Sequence, residues 1–576
     1  MQARSEHLRL WFAGFFHKFT NIERGIVSIL ILAILVSTAQ LTGIKNQNTA
    51  IIAADGGVHI EGVVGAPRYI NPVLAGTNQV DLDISRLVFS GLVKVSPARE
   101  VMPDLAASWN LANGDKTYIF NLRPDVKWHD GQDFTADDVV YTFNVLQNND
   151  YTGVLKSNFQ GVTVERLDEH TVQFTLPAPS SFFLYDLDIG IIPEHIYRQV
   201  AVRDFTSFYR PAAIIGTGPF QYDGGISNQS VTLKKYNNYY GTKPHLDKVV
   251  FYFYENERTL QTAFKNRAIS AAGLLEEPTI AAGIAGDQQF NYQLPQYRAI
   301  FFNQLGDNQA LKDNTVRQAL AYATNKLEIV EQVENNHADV VDSPILPGFW
   351  GHKDNVKKYD FNLNQAATIL KNAGWADVDG DGILEKDNVR LSFTLATRQD
   401  AKLSAIAKLL VHNWTILGAQ VELNEVETAG FIKDIVRPRN YDALLFGQDL
   451  GGNSDPYVYW HSSQITDPGL ALAVTIDKDI DNNLESARLS ATVNQSIGAY
   501  HRFQDAFAQL VPAILLYTPR YTYIVDSKLK GVTDQINLSS LSDRFATIEQ
   551  WYVRTKRTAM PDPEPVVEDT EAQPEQ

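Results

Sequence analysis

The chain has 576 residues, of which 44% are hydrophobic and 20% are charged, a composition typical of folded globular proteins. This length exceeds what one hydrophobic core supports, so two or three domains are expected. The formal net charge of −17, with no basic stripe, argues against binding to nucleic acid, because phosphate contacts need clustered Lys and Arg. The chain contains no cysteine, which excludes disulfides, thiolate metal ligands and a cysteine nucleophile.

The N-terminal region has the charge pattern of an exported or membrane-anchored protein. An apolar run, GIVSILILAILV (25–36), opens a charge-free stretch that extends to Ile44, and the 20 residues of 25–44 are long enough to span a bilayer as a helix. Four cations precede this stretch, whereas only Lys45 follows closely. The positive-inside rule then keeps residues 1–24 cytoplasmic, as a basic amphipathic segment, and places the remainder outside the cytoplasm.

Two interpretations of residues 25–44 remain open. The first is an uncleaved transmembrane signal anchor. The second is a signal peptide cleaved after Ala39, since small residues precede that bond, while Gln40 and two threonines weaken the outer half as a span. A buried core helix is disfavoured by the terminal position and the cationic flank. Residues 45–57 are expected to form a polar linker, and residues 557–576 a disordered acidic tail rich in Pro and Glu.

Between these ends the hydrophobic periodicity predicts a mixed α/β protein. Alternating apolar residues predict strands over 117–123 and 171–176, and a capping box from Thr135 to Asp138 predicts the start of a helix between them.

After about residue 297 the pattern changes to alternating helices and strands. Helices are predicted over 316–330 and 364–374, and strands over 391–397, 419–426 and 441–447. A further helix is predicted from an apolar stripe that consists of Leu403, Ile406, Leu410, Trp414 and Leu417. Strand–helix–strand alternation predicts right-handed crossovers and a largely parallel sheet in this region.

An ordered string of motifs in residues 102–146 resembles the signature of the family 5 bacterial extracellular solute-binding proteins, the oligopeptide-, dipeptide- and nickel-binding group. In chain order the matching elements are P-x-LA-x-SW (Pro103 to Trp109), T-Y-x-F-x-LR (Thr117 to Arg123), V-K-W-H-D-G (Val126 to Gly131) and F-T-A-x-D-V (Phe134 to Val139). Further counterparts are IGTGPFQY (215–222), NNYYGTKPHLDKVVF (237–251), NTVRQALAYATNK (314–326), AGWADVDGDGILEKD (373–387) and SDPYVYWHSSQ (454–464). The resemblance covers roughly residues 58–556. Departures are few: Asn325 replaces a common Asp, Lys116 a common Gly, and the lipid-modified Cys is missing.

The resemblance implies an α/β, two-lobed periplasmic-binding-protein-like fold of type II, similar to cluster C with its extra inserted domain, in addition to the N-terminal transmembrane helix. Domain I would be discontinuous and domain II inserted into it, with domain III as the opposite lobe. The implied boundaries are 58–93, 210–296 and 515–556 for domain I, 94–209 for domain II and 297–514 for domain III. Segments near residues 295 and 515 would form the hinge.

The implied function is capture of oligo- or dipeptides between the lobes by hinge closure, followed by delivery to the permease and ATPase subunits of an ABC importer. Two alternatives remain: a surface receptor for a peptide signal or another solute, such as a nickel chelate or a sugar, and, less favoured, an extracytoplasmic hydrolase. No G-x-S-x-G, P-loop or dinucleotide motif lies in a credible strand–helix setting, so neither catalysis nor a cofactor is expected. The protein is expected to be a monomer that does not bind nucleic acid.

A peptide ammonium in a desolvated cleft needs a carboxylate partner. In the resembling peptide binders this carboxylate lies upstream of an Asp-Pro pair, and here the loop FGQDLGGNSDPYVYW (446–460) offers Asp449 and Asp455. The alternative for Asp455 is a turn with Pro456. Three aromatic residues, Trp350, Tyr457 and Trp460, are candidates for side-chain pockets, with ordinary packing as the alternative.

A calcium loop is a weaker hypothesis for ADVDGDGILEKDN (376–388). Asp377, Asp379 and Asp381 resemble the start of an EF-hand, but Asn388 stands at the twelfth position in place of the bidentate Glu. A solvated turn is therefore favoured. The histidines show no metal-binding spacing, and the signature residues Trp109, Trp128, His129 and Asp130 are interpreted as stabilising the fold.

Overall fold

The computed structural model describes residues 20–47, 49–76, 78–208, 210–225, 227, 229–275, 286–451, 455–490 and 492–559. The chain divides into two compact units. The smaller contains residues 1–56 and 552–576, and the larger, which we call the body, is Gly57–Trp551.

The strands of the described residues are β1 (Thr49–Ala54), β2 (Val58–Val64), β3 (Val93–Val95), β4 (Val101–Pro103), β5 (Ala106–Ala112), β6 (Thr117–Leu122), β7 (Thr163–Asp168), β8 (Thr171–Thr175), β9 (Phe220–Tyr222), β10 (Ser230–Lys235), β11 (Lys248–Tyr254), β12 (Ala271–Leu274), β13 (Gln288–Gln293), β14 (Gln296–Phe302), β15 (Ala338–Val340), β16 (Glu385–Lys386), β17 (Val389–Arg390), β18 (Ser392–Arg398), β19 (Gln420–Val426), β20 (Ala443–Asp449), β21 (Ala513–Val525) and β22 (Arg554–Ala559).

The α-helices are α1 (Asn21–Gln47), α2 (Gln79–Val88), α3 (Ala136–Gln147), α4 (Phe183–Asp186), α5 (Glu194–Tyr197), α6 (Phe205–Phe208), α7 (Glu257–Lys265), α8 (Gln309–Lys312), α9 (Asn314–Tyr322), α10 (Lys326–Gln332), α11 (Leu363–Asn372), α12 (Ala401–Ile416), α13 (Thr428–Gly430), α14 (Tyr457–Trp460), α15 (Lys478–Arg488) and α16 (Val493–Leu510).

In the smaller unit, β1 pairs antiparallel with β22, from Thr49 opposite Ala559 to Ala54 opposite Arg554. Residues 45–57, expected as a linker, therefore contain a strand, and the expected tail 557–576 begins inside another. The rest of that tail, from residue 560 on, and residues 1–19 lie outside the described residues.

Residues 25–44 lie within α1. Among the described residues, no helix is both long enough and apolar enough to cross a membrane. The transmembrane interpretation of residues 25–44 stays a prediction.

One sheet runs through the whole body, in the strand order β19-β18-β20-β14-β21-β12-β2-β11-β10-β9. The 13-residue strand β21 lies at its centre. The first part of β21 pairs with β14, and its last part pairs with β12 and β13. The strand thus passes from the part of the body formed by residues 297–511, which we call the second lobe, into the part formed by residues 57–296 and 526–551, which we call the first lobe.

The second lobe contains the predicted parallel arrangement. Strand β18 pairs parallel with β19 and β20, and α12 provides the crossover from β18 to β19. Asp400 caps α12 by accepting hydrogen bonds from the backbone N–H groups of Lys402 and Leu403. Both faces of the sheet are covered, because Ile300 and Phe302 of β14 belong to one buried cluster while Ala299 and Phe301 belong to the other. The helix predicted over 316–330 is divided into α9 and α10.

The first lobe contains a separate four-stranded sheet in the order β5-β6-β8-β7, covered by α3. The predicted alternation is confirmed, since Tyr118, Phe120 and Leu122 are all buried, and the capping box at Thr135 is present.

His129 connects two of the family-like motifs inside the first lobe. Its Nδ1 accepts a hydrogen bond from the N–H of Gly216 (3.2 Å), so its Nε2 carries the proton donated to the carbonyl of Gly218 (3.0 Å). Burial lowers the pKa of His129 to about 4, although the bond to Gly218 opposes the shift. The ring is therefore neutral at physiological pH.

A buried ion network closes the first lobe. Arg544, 2% exposed, lies between Glu61 (Nε to Oε1, 3.1 Å) and Asp83 (Nη1 to Oδ1, 2.9 Å). Burial alone would raise the pKa of Glu61, but Arg544 and His59 outweigh it and lower the pKa. The network joins β2, α2 and the segment after β21, which are far apart in sequence.

Replacing Arg544 by Met is expected to destabilise the protein by about 3–5 kcal/mol, because Glu61 and Asp83 remain buried without a counter-charge. Urea unfolding followed by circular dichroism measures the change. The matched control is Arg390→Met, which removes an arginine whose partner Asp381 is exposed, and no measurable loss is expected there. Equal unfolding midpoints for the two variants would contradict the role given to Arg544.

The stabilising effect of His129 is expected to depend on pH. The unfolded chain takes up a proton at this ring near pH 6.5, but the folded chain does so only near pH 4, so stability rises with pH between these values. His129→Gln should be less stable than the wild type at pH 7, and this difference should shrink by about 3 kcal/mol as the pH falls from 6.5 to 4. A difference that is constant with pH, measured by urea unfolding, would contradict the assignment.

Candidate functional site

A cavity of about 590 Å³ lies between the two lobes. The first lobe contributes polar and apolar residues of the segment 157–186, and the second lobe contributes residues of α14 and the end of α15. The lining residues are Ser157, Asn158, Gln160, Val162, Leu176, Pro177, Ala178, Pro179, Ser180, Phe183, Asp186, Tyr457, Glu485, Arg488 and Leu489. We call this space the interlobe cavity.

The charged wall of the interlobe cavity is built by α15. Asp477 caps this helix by accepting hydrogen bonds from the N–H groups of Asp479 and Ile480. Ile480, Leu484 and Ala487 form the buried face. Glu485 and Arg488, on another face, line the cavity with opposite charges.

Arg488 is held by two contacts. Its Nε lies 3.2 Å from Oδ2 of Asp455, and its guanidinium lies 4.3 Å from the ring centre of Tyr457. Burial raises the pKa of Asp455, while the charge of Arg488 lowers it in part. Glu485 Oε1 lies 3.2 Å from Nε2 of His461, whose ring stacks on Tyr457 at 4.1 Å. The arrangement presents a positive and a negative group to the cavity within one helical turn.

Of the residues proposed from sequence, only Tyr457 lines the interlobe cavity directly. Asp455 is buried behind it and paired with Arg488. Asp449 is exposed at the end of β20, and its Oδ1 accepts a hydrogen bond from the N–H of Gly451 (2.9 Å). Trp460 is buried against Tyr297, Phe301 and Phe507.

Trp350 lies at a direct contact between the lobes. Its Nε1 donates a hydrogen bond to the carbonyl of Arg99 (3.0 Å), and Tyr185 of the first lobe donates to the same oxygen (2.9 Å). The guanidinium of Arg99 lies 4.1 Å from the ring centre of Phe349. We call these four residues the interlobe latch, since they connect the β3–β4 turn to the second lobe.

A second contact lies beside the cavity. Phe182 of the first lobe is buried in a hydrophobic cluster of the second lobe, and Ser181 Oγ donates to the carbonyl of Ala487 (3.5 Å). The lobes therefore touch on the wall of the interlobe cavity, as in a closed binding protein.

No motif in the sequence points to Arg488 or Glu485. Charged residues are frequent along α15. Only the buried positions of Ile480, Leu484 and Ala487 indicate which face of the helix is not packed against the core.

The acidic loop 376–388 is paired with an arginine side chain, Arg390. Oxygen atoms of Asp377, Asp379 and Glu385 lie within 4.8 Å of one another. Arg390 pairs with Asp381 and approaches Asp379 (3.9 Å) and Glu385 (3.8 Å). Asp377 also accepts hydrogen bonds from the N–H groups of Gly380 and Gly382. These are the contacts of an Asp/Gly turn.

The chain belongs to the bacterial extracellular solute-binding proteins, family 5, since the model of this family matches residues 100–468, well over half of the chain. Curated relatives include the oligopeptide-binding protein AppA of Bacillus subtilis, 29% identical over 87% of this chain and 94% of the relative. The dipeptide-binding protein of Escherichia coli is 26% identical over 81% of this chain and 90% of the relative.

Solved structures support the two-lobed α/β periplasmic-binding-protein-like fold. The structure of AppA from Bacillus subtilis in complex with a nonapeptide has a TM-score of 0.65 and 27% identity, and covers 87% of this chain and 100% of that one. NikZ from Campylobacter jejuni in complex with Ni(L-His) has a TM-score of 0.66 and 27% identity, and covers 86% of this chain and 99% of that one.

Trp350→Phe is expected to shift the protein toward an open form roughly fivefold, because it removes one hydrogen bond across the interlobe latch, worth about 1 kcal/mol. The measurement is the distance distribution between a spin label in each lobe, without added ligand. Trp109→Phe, a change within the first lobe, serves as the control. Unchanged distances in Trp350→Phe would contradict the latch.

Proposed function

We propose that this protein captures peptides in the interlobe cavity and delivers them to the membrane subunits of an ABC importer. The observation that carries the proposal is a cavity between two lobes with opposite charges on one wall, in a chain whose relatives include proteins named for oligopeptide and dipeptide binding. A peptide with free ends is a zwitterion, and both of its charges need partners when water is removed.

Arg488 is the proposed partner of the peptide carboxylate. Its guanidinium lines the cavity and is only partly engaged, with its Nε near Asp455. A planar guanidinium can bind a carboxylate through two parallel hydrogen bonds. Glu485, which lines the cavity, is the proposed partner of the peptide ammonium. Asp449, an exposed carboxylate next to β14, stays the candidate proposed from sequence.

The proposed mechanism is hinge closure without catalysis. A ligand that touches both lobes stabilises the closed state by as much as its affinity for that state exceeds its affinity for the open one. β14 and β21 are the proposed hinge strands, and the three-domain division proposed from sequence places the hinge at the same segments. The protein is proposed to act as a monomer outside the cytoplasm, directed there by the N-terminal segment 1–44.

Arg488→Gln is expected to weaken binding of peptides with a free C-terminus about tenfold, because a charge-assisted hydrogen bond is lost, and to leave C-terminally amidated peptides unaffected. Isothermal titration calorimetry on the purified full chain measures both affinities. Arg502→Gln, an exposed arginine that does not line the cavity, is the control.

Native mass spectrometry of the wild type identifies the bound solute directly. A mixture of short peptides is the expected result. A co-purified metal chelate or sugar, together with no binding of any peptide, would contradict the proposed function, whereas equal losses for free and amidated peptides would contradict only the role of Arg488.

A further inference from the structure

A second cavity, of about 360 Å³, lies wholly within the first lobe. Its walls come from α2, the β3–β4 region, residues 185–190 and the segment 539–549, and none of its lining residues belongs to the second lobe. We call it the side cavity. Asn158 and Asp186 line both cavities, and Asn158 Nδ2 donates a hydrogen bond to Asp186 Oδ1 (3.0 Å). The side cavity therefore adjoins the interlobe cavity at this pair of residues.

The side cavity carries an excess of negative charge. Five carboxylates line it, together with only two cations, Arg86 and Lys94. The carboxylates are Asp104, Asp186, Asp188, Asp543 and Glu549.

Arg86 serves only part of this acidic set. Its Nη1 lies 2.6 Å from Oδ2 of Asp188, and its Nη2 lies 3.8 Å from Asp543. Burial raises the pKa of Asp104 and of Glu549, and it raises that of Asp188 to about 6, helped by Asp543. With five carboxylates and two cations along the walls, an additional cation would stabilise the ionised forms of Asp104, Asp188 and Glu549.

An independent observation also indicates an occupant. Ser85 of α2 lines the side cavity and is 6% exposed, and its Oγ has no hydrogen-bond partner among the described residues. Buried hydroxyl groups nearly always have a partner, since an unsatisfied one costs free energy. A ligand group that donates hydrogen bonds would satisfy both Ser85 and the carboxylates.

We propose that the side cavity receives the cationic side chain, lysine or arginine, of a peptide bound in the interlobe cavity. This inference rests on the proposed function and specifies its substrate class. The side cavity adjoins the peptide site at Asn158 and Asp186, and a flexible alkyl stem that passes beside this pair would bring the charged end to Glu549 and Asp104. Peptides that contain a basic residue at one position would be preferred.

The test compares alanine pentapeptides that carry one lysine or one norleucine at each position in turn. Norleucine has a similar alkyl stem without the ammonium group. Calorimetry on the purified full chain is expected to show, at one position, binding about tenfold tighter for lysine than for norleucine. Glu549→Gln should reduce this ratio at least threefold. Asp104→Asn is a second variant in which the lysine-to-norleucine affinity ratio is expected to fall. Glu165→Gln, at an exposed position of β7, is the control.

The outcomes separate the two proposals. If the pentapeptides bind but lysine has no advantage at any position, or if both variants retain the full ratio, the side-cavity inference is overturned and peptide capture stands. If no pentapeptide binds, peptide capture fails, and this inference fails with it.

Discussion

The first lobe depends on one buried interaction, the pairing of Arg544 with Glu61 and Asp83. Arg544 is 483 residues from Glu61 in the chain, and between them the chain forms the rest of that lobe and all of the second one. All three side chains are essentially removed from solvent, so the network is stable only while every member is present. Tyr523 of β21 also donates a hydrogen bond to Glu61 (2.7 Å). The network therefore joins the central strand β21 to β2, to α2 and to the segment that follows β21 in the chain.

Strand β21 gives the two lobes a common rigid element. Its residues before Thr518 pair with β14, and those after Arg520 pair with β12 and β13. In the proposed hinge closure, bending is expected near Pro519, where the pairing partners of β21 change, and at Arg298, where the register of β14 shifts.

Local patterns in the sequence predicted much of the fold. The strands over 391–397 and 419–426 and the stripe of α12 follow directly from residue periodicity, because each element buries one face. The α/β class and the family also follow from motifs that are contiguous in the chain.

Other features depend on contacts between distant segments, which periodicity does not encode. The pairing of β1 with β22 was missed, since TAIIAA (49–54) lacks clear alternation and its partner lies some 500 residues away. The site was predicted only in part: Tyr457 lines the interlobe cavity, but Arg488 was not identified, because its importance comes from its contact with Asp455. The side cavity, lined by residues from Pro72 to Glu549, exists only after the first lobe has assembled.

The pairing of β1 with β22 brings Thr49 beside Ala559. A fluorophore, affinity tag or surface linkage attached at Thr49 or at Ala559 would therefore occupy nearly the same location. Such labels would remain at a constant separation whatever the lobes do, so reporters of lobe movement have to be introduced at internal positions.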